Sequence, residues 1–244
     1  MIEAVGPLKC RDTRDGLVSC KATSGTASPF RLDAACVKGW LGERMFQTLQ
    51  DLKSEISALE PEEFFDQHVV GGQSAYLNPE NIAFLCELFS DGFDVEVAPA
   101  DVIMVGSAKL GFALHAKRTP SFTLEAFRPY SAVSDIDLSI CNPALFRKIW
   151  HELSAHACVQ PILPWNPDKL ADYMMYGWLR PDKFPKGQAL MYCDRFYETI
   201  GRFRRDRGRG QPRATAALYY SVEHLRRYQA RGIRLCKQKL EVAR

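Results

Sequence analysis

Several things are missing from this chain of 244 residues. No run of eighteen apolar residues occurs, so no segment reads as a transmembrane helix. The first residues, MIEAVGPLKCRDTRDG, hold no apolar stretch of the kind a secretory signal needs, and the expectation is a cytoplasmic protein without membrane insertion. The eight cysteines, at positions 10, 20, 36, 86, 141, 158, 193 and 236, form no C-x-x-C pair and no cluster with the five histidines. That spacing argues against zinc modules and for free thiols in core positions. There is no internal repeat. What remains, 46% hydrophobic and 25% charged residues, is an ordinary globular composition, long enough to bury a sizeable core.

The net charge of +3 conceals an asymmetry. Residues 201–244 hold 13 Lys and Arg against 3 Asp and Glu, whereas residues 1–200 hold 19 against 26. A basic end on an acidic body points to a polyanionic partner, or more simply to a solvated basic helix. The densest stretch, GRFRRDRGRGQPR, contains Arg202, Arg204, Arg205, Arg207, Arg209 and Arg213.

Along the chain, residues 1–36 are rich in turn formers and read as an irregular lead-in. A single domain is expected over 37–244, with its core motifs at 101–141 and its completion at 188–240. Helical spacing over 37–59 predicts a first helix, and Pro61 opens a second that Gly71 and Gly72 end. Asn78-Pro79 and Asn142-Pro143 each read as a cap followed by a first-turn proline, with Gly92 as a stop for the earlier helix. DVIMV is a short apolar strand that runs into Gly106-Ser107. Residues 116–133 read as a loop and 160–187, with five prolines, as largely irregular. A helix at 189–205, a strand ATAALYYS and a closing helix from 222, with Gly232 as a break point, complete the pattern.

One strand raises a chemical question. In SDIDLSI, residues 134–140, Ile136, Leu138 and Ile140 alternate with Asp135, Asp137 and Ser139. Alternation places the two acids on one face, about 6.5–7 Å apart. Like charges so close repel unless something positive lies between them. A bound metal ion answers the question; a solvated outer face answers it too.

The order apolar strand, Gly106-Ser107, short helix, loop, then Asp135-x-Asp137 on a strand resembles the nucleotidyltransferase superfamily of DNA polymerase beta. The likeness covers residues 101–141 at motif level. It implies an α+β fold, with a small mixed sheet flanked by helices, an N-terminal helical layer and C-terminal helices. It also implies transfer of NMP or dNMP from a nucleoside triphosphate to a hydroxyl acceptor, with release of pyrophosphate. On this resemblance Gly106, Ser107 and Lys109 hold the triphosphate, and Asp135 and Asp137 are the catalytic acids that bind Mg²⁺ or Mn²⁺. Two departures stand out. The 28 residues from Ser107 to Asp135 exceed the family's usual interval, and the expected later strand, ATAALYYS, lacks the third carboxylate the family supplies there. Asp194, Glu198 and Glu223 are the substitutes the sequence offers.

The phrases VGSAKLGF, SDIDLSI, LFRKIW and GWLRPDKFP resemble stand-alone bacterial nucleotidyltransferases, some of them from phage-defence operons, over residues 78–235. The Hailong type, which makes an oligodeoxyadenylate acting on a membrane effector, is the nearest of these. The resemblance implies an oligonucleotide acceptor or product, which Arg204, Arg205 and Arg207 would hold, and an operon-encoded effector protein as partner. The competing expectation is a degenerate nucleotidyltransferase serving as a nucleotide-binding or antitoxin-like module. Trp150, Trp165, Trp178, Tyr173 and Tyr176 read as packing rather than base-stacking residues, and His115, His151 and His156 as core or solvated histidines.

Overall fold

The structure, a computed structural model, describes residues 46–71, 76–118, 122–131, 134–181, 184, 187, 190–207 and 213–242. The expected lead-in and the start of the first predicted helix, 37–45, lie outside these residues. Helix α1, Leu49–Ala58, is capped by the Thr48 hydroxyl and buries Leu52 and Ile56, one turn apart. Helix α2, Pro61–Phe64, begins on its proline as expected but continues as a π-helical stretch, Phe65–Val70. Helix α3, Pro79–Phe93, takes its cap from Asn78. Gly92 does not stop it: the helix runs one residue past and ends at Asp94 in the left-handed region, φ 50°.

Strand β1, Val102–Val105, leads through Gly106 into the single turn α4, Ser107–Leu110. The predicted loop then folds back on itself. A ribbon of β2, Lys117–Arg118, and β3, Thr123–Leu124, is prolonged by a bridge between Phe112 and Pro129. The long interval between the motifs is thus spent on a hairpin whose two ends return to one place, which leaves the flanking strand and turn undisturbed. Strand β4 is Ile136–Cys141, so Asp135 stands just before the strand and not in it. Helix α5, Pro143–Val159, follows its Asn142 cap as predicted.

The proline-rich stretch is more ordered than its composition suggests. Asn166 and Pro167 open helix α6, Pro167–Met175, and Trp178–Leu179 is strand β5. This is the same Asn-Pro start read correctly at two other helices. Helix α7, Met191–Asp206, strand β6, Ala214–Tyr219, and helix α8, Val222–Val242, complete the fold. Gly232 does not break α8; its bare Cα lets His115 pack against the helix, and a Cβ there would lie 2.8 Å from the ring nitrogen Nε2.

The four-stranded sheet is mixed, in the order β1-β4-β6-β5, with β1 and β5 antiparallel and β4 parallel to β6. Helices cover both faces. Ile136, Leu138, Ile140, Ala214, Ala216 and Leu218 point into a core filled from α3, α5 and α7 by residues such as Phe89, Phe93, Phe146, Phe196 and Phe203. The other face, which carries Cys141 and Tyr219, packs against Leu52 and Ile56 of α1, Phe64 of α2 and Leu225, Ile233 and Cys236 of α8. The acid-bearing face is solvated only at the acids: Asp137 is exposed, whereas Ser139 and Cys141 further along it are 1% and 2% exposed. Among the described residues, no helix is long and apolar enough to cross a membrane.

Candidate functional site

The site lies where β1 ends and β4 and β6 begin. Register places Val105, Asp137 and Thr215 side by side on three adjacent strands. Beyond Val105 the chain must turn sharply, and it does so at Gly106 with φ 75° and ψ −158°, a conformation open in practice only to glycine. The turn lays this glycine against the acid: a Cβ on Gly106 would stand 2.9 Å from Asp137 Oδ2. The sequence motifs thus meet in space, although 28 residues and a hairpin separate them.

Asp137 is open to solvent, yet enough protein surrounds it that desolvation pushes its carboxyl pKa up. The carboxylate is thus both accessible and crowded. The hydroxyl of Thr215 donates to Asp137 Oδ1 at 2.7 Å and pulls the pKa back, the neighbouring Asp135 raises it, and the charges of Arg180 and Lys117 lower it. Asp135 has its own cation: Arg213 Nε stands 3.9 Å from its Oδ1, both side chains being substantially exposed. The repulsion between the two acids is thus moderated by side chains from three other segments. One position along the same face, Ser139 Oγ is buried without a hydrogen-bond partner.

Ser107 opens the turn beside Gly106, where its carbonyl accepts from Gly111 N at 2.8 Å. Lys109, expected to neutralise the triphosphate from one turn into α4, is a buried cation. It is 7% exposed, and burial lowers its pKa to about 8. Its ammonium is held among packed groups rather than carried on a mobile arm.

Of the offered third carboxylates, none is placed at this site. Asp194 and Glu198 belong to α7, which covers the opposite face of the sheet, and Asp194 accepts from Gly187 N at 3.0 Å. Glu223 opens α8 beyond the far end of β6 and is paired with Arg226 and Arg227. The position beside Asp137 on the later strand is Thr215. Among the described residues, no group of three or more His, Cys, Asp or Glu is arranged to hold a metal ion.

The arginine cluster divides. Arg204 and Arg205 are exposed in the last turn of α7, where cations also favour the helix dipole. Arg207 is not part of an open patch: its Nη2 donates to Tyr76 O at 2.7 Å, and its guanidinium lies 5.2 Å from the Phe203 ring centroid. Burial lowers its pKa, and its field reaches Tyr130, whose ring packs 5.0 Å from that of Tyr76. Arg209 lies outside the described residues. Much of the remaining basic excess is turned toward α2 and the residues on either side of it, with Arg226 on Asp66 at 2.6 Å, Arg234 on Glu62 at 2.8 Å and Lys237 on Glu60 at 3.2 Å.

The aromatic residues pack as expected. Trp178 lies against Tyr173, Tyr219 and Tyr228, and Trp165 against His156 and Phe184. His115 sits beside Cys236 Sγ at 3.5 Å, with its pKa lowered by burial and by Lys239. Sequence reasoning missed Thr215, Arg180 and Lys117. Thr215 had a signal, being the one hydroxyl in the otherwise apolar run ATAAL. Arg180 and Lys117 had none, because only strand pairing and the hairpin bring them near Asp137.

Comparison with protein-family models, with curated proteins and with solved structures finds no match for this chain.

Proposed function

We propose that the chain binds a nucleoside triphosphate beside Gly106 and Asp137 and transfers its nucleotidyl group to a hydroxyl acceptor, releasing pyrophosphate. The observation that carries this reading is the seating of the Asp137 carboxylate against a positive-φ glycine at a strand end, with Asp135 beside it. Close approach of backbone is what a phosphate needs, and oxygen donors next to it are what a phosphate-bound divalent cation needs. The mixed sheet, with the acidic strand between an antiparallel and a parallel neighbour, agrees with the α+β fold expected for such an enzyme.

Magnesium commonly binds through one or two carboxylates together with substrate phosphates. The donors here suit that mode: Asp135 and Asp137 would hold the ion, and Thr215 would fix the orientation of Asp137. When bound, the ion supplies charge neutralisation on the transferring phosphoryl group. The chain's own cations, Arg180 and Lys117, add to the field over the same carboxylate. Arg204 and Arg205 belong to the helix that precedes Arg213 and β6, and they serve an oligonucleotide acceptor or product. In that setting the product is a signal to an effector protein in antiviral defence.

A second reading, a nucleotide-binding or antitoxin-like module with a degenerate centre, is favoured by one observation: a threonine stands beside Asp137 where the enzyme family places an acid. Incorporation of α-labelled nucleotides with Mg²⁺ separates the two. Under the enzyme reading, Asp135→Ala and Asp137→Ala each abolish incorporation while the melting temperature changes little. Full incorporation by both variants removes the site assignment. Triphosphate binding by the wild type without any incorporation selects the module.

A further inference from the structure

We propose that Tyr130 is a positioning residue for nucleotidyl transfer: its hydroxyl holds the loop that delivers Asp135 while its main chain holds the end of the Gly106–Gly111 turn, so that the acid and the turn keep one separation. The proposal rests on the nucleotidyl-transfer reading above and adds a residue that acts through Asp135.

The two acids are not fixed in the same way. Asp137 lies within β4, in register with Val105 on one side and Thr215 on the other, and the Thr215 hydroxyl holds its carboxylate. Asp135 stands before the strand. The ladder begins at the next residue, where Ile136 N donates to Arg213 O at 2.8 Å. The ion pair of Asp135 with Arg213, at 3.9 Å, joins two exposed side chains and constrains little.

The remaining constraint on Asp135 comes from the chain before it. Ser134 N donates to Ser131 O at 2.9 Å, and the two serine hydroxyls lie 3.1 Å apart, so the loop is pinched between these residues. Tyr130 spans the pinch: its hydroxyl donates to Ser134 O at 3.3 Å. That carbonyl belongs to the planar peptide unit that leads into Asp135, so holding it sets the plane from which the acid departs. On its main-chain side, Tyr130 N donates to Gly111 O at 2.7 Å. Gly111, with φ 85°, ends the turn that Gly106 opens. One residue thus bonds to both arms of the site.

Tyr130 is itself held. Its ring packs 5.0 Å from that of Tyr76, centroid to centroid, and the Tyr76 carbonyl accepts from Arg207 Nη2 at 2.7 Å. Burial pushes the phenol up to about 12; Tyr76, Asp135 and Asp137 push the same way and Arg207 opposes them. The hydroxyl therefore stays protonated near neutral pH and keeps its proton for Ser134 O. At 3.3 Å the bond is long for a hydroxyl donor. Bonds that serve a reaction are often long in the free protein and tighten in the complex that reacts. Loss of this one should therefore fall on the chemical step, where a displacement of about 1 Å can cost about a hundredfold in rate. Triphosphate binding keeps the Gly106 turn and Asp137.

Tyr130→Phe removes the hydroxyl and keeps the ring on Tyr76. The full chain is assayed with each α-labelled nucleoside and deoxynucleoside triphosphate, Mg²⁺ and a mixed-sequence oligonucleotide acceptor. Hydrogen exchange is followed by mass spectrometry over residues 131–135 and over 136–141. The variant is expected to lower kcat about tenfold and to leave KM for the triphosphate within about twofold. Its melting temperature should stay within about 3 °C of the wild type's, as loss of one long hydrogen bond predicts. Exchange should quicken over 131–135 and not over 136–141.

Unchanged exchange over 131–135, or an unchanged kcat, overturns the inference and leaves the nucleotidyl-transfer reading standing when the wild type incorporates nucleotide. A higher KM with kcat preserved, or a loss of activity that only follows a collapse in melting temperature, does the same, because it marks a binding or folding role. A wild type that incorporates none of the triphosphates overturns the reading and the inference with it.

Discussion

Asp137, the acid at the centre of the proposed site, is a residue whose charge costs stability. Its folded-state pKa lies above the ordinary value of 3.8, chiefly through desolvation. Between 3.8 and that raised value the folded state binds more protons than the unfolded one, so stability falls as pH rises through this window. Above it, the charged carboxylate is a standing cost that Thr215 only partly offsets. Asp137→Asn keeps an acceptor for the Thr215 hydroxyl and removes both the desolvated charge and the repulsion with Asp135. Its melting temperature should exceed the wild type's at pH 7 in chelator, and the advantage should fade as pH falls toward 3.8. Scanning calorimetry from pH 3 to pH 8 checks this; a constant difference across the range would show that the carboxylate's charge is not the cause. Lys109 works in the opposite direction. With its pKa lowered to about 8 from 10.5, the unfolded state binds the extra proton between these values, and this group's contribution makes stability rise with pH there.

Helices α7 and α8 show how the same residue type takes different roles within one element. The arginines of α8 mostly meet acids on α2, on the π-helical stretch after it or on α8 itself, so the net charge of the C-terminal region overstates the surface open to a polyanion. On α7 the last turn splits the other way, with Arg204 and Arg205 outward and Arg207 inward, where its Nη2 holds the Tyr76 carbonyl. Replacing Arg204 and Arg205 together with alanine should shorten any oligonucleotide product and leave the first nucleotide addition nearly unchanged. Each phosphate contact to a single strand contributes about 0.7 to the slope of log affinity on log salt, so the double variant should lower that slope by about 1.4. An unchanged slope returns the patch to a solvated helix end. Arg207→Ala should instead lower the melting temperature with little effect on the slope, because it leaves a carbonyl unpaired and a ring uncovered.

At the scale of the molecule, two helical layers hold the sheet from opposite faces, and Gly106, Asp137 and Thr215 come together where β1 ends and β4 and β6 begin. The proposed function calls for rigid strands beneath the site. Phe89 is fully buried and packs 5.1 Å from Phe196, centroid to centroid, joining α3 to α7 on the face away from the acids. Phe89→Ala should cost about 3–5 kcal/mol in denaturant unfolding. A cost below about 1 kcal/mol would mean that this layer does not support the sheet. The site substitutions Asp135→Ala and Asp137→Ala, which remove no packing, should sit at the opposite end of the scale.

Much of the local structure was legible before any coordinates. Asn78-Pro79 and Asn142-Pro143 start helices because a short polar cap and a fixed φ act within one turn, and Ile136, Leu138 and Ile140 share a face because strand geometry alternates. Asn166-Pro167 carried the same signal and was hidden only by the prolines around it. Gly106 was readable as a special backbone position, and Asp135 and Asp137 as a pair. What the sequence could not express is adjacency across strands. That Thr215 rather than an acid stands beside Asp137, that Arg213 faces Asp135, that Arg207 turns inward and that Lys109 is buried all follow from register and layer packing. Those contacts link residues up to 131 positions apart, as Arg207 and Tyr76 do. Local propensity is an interaction within a few residues, whereas charge, burial and metal-donor geometry depend on which distant segments share a cleft, and the fold alone brings them there.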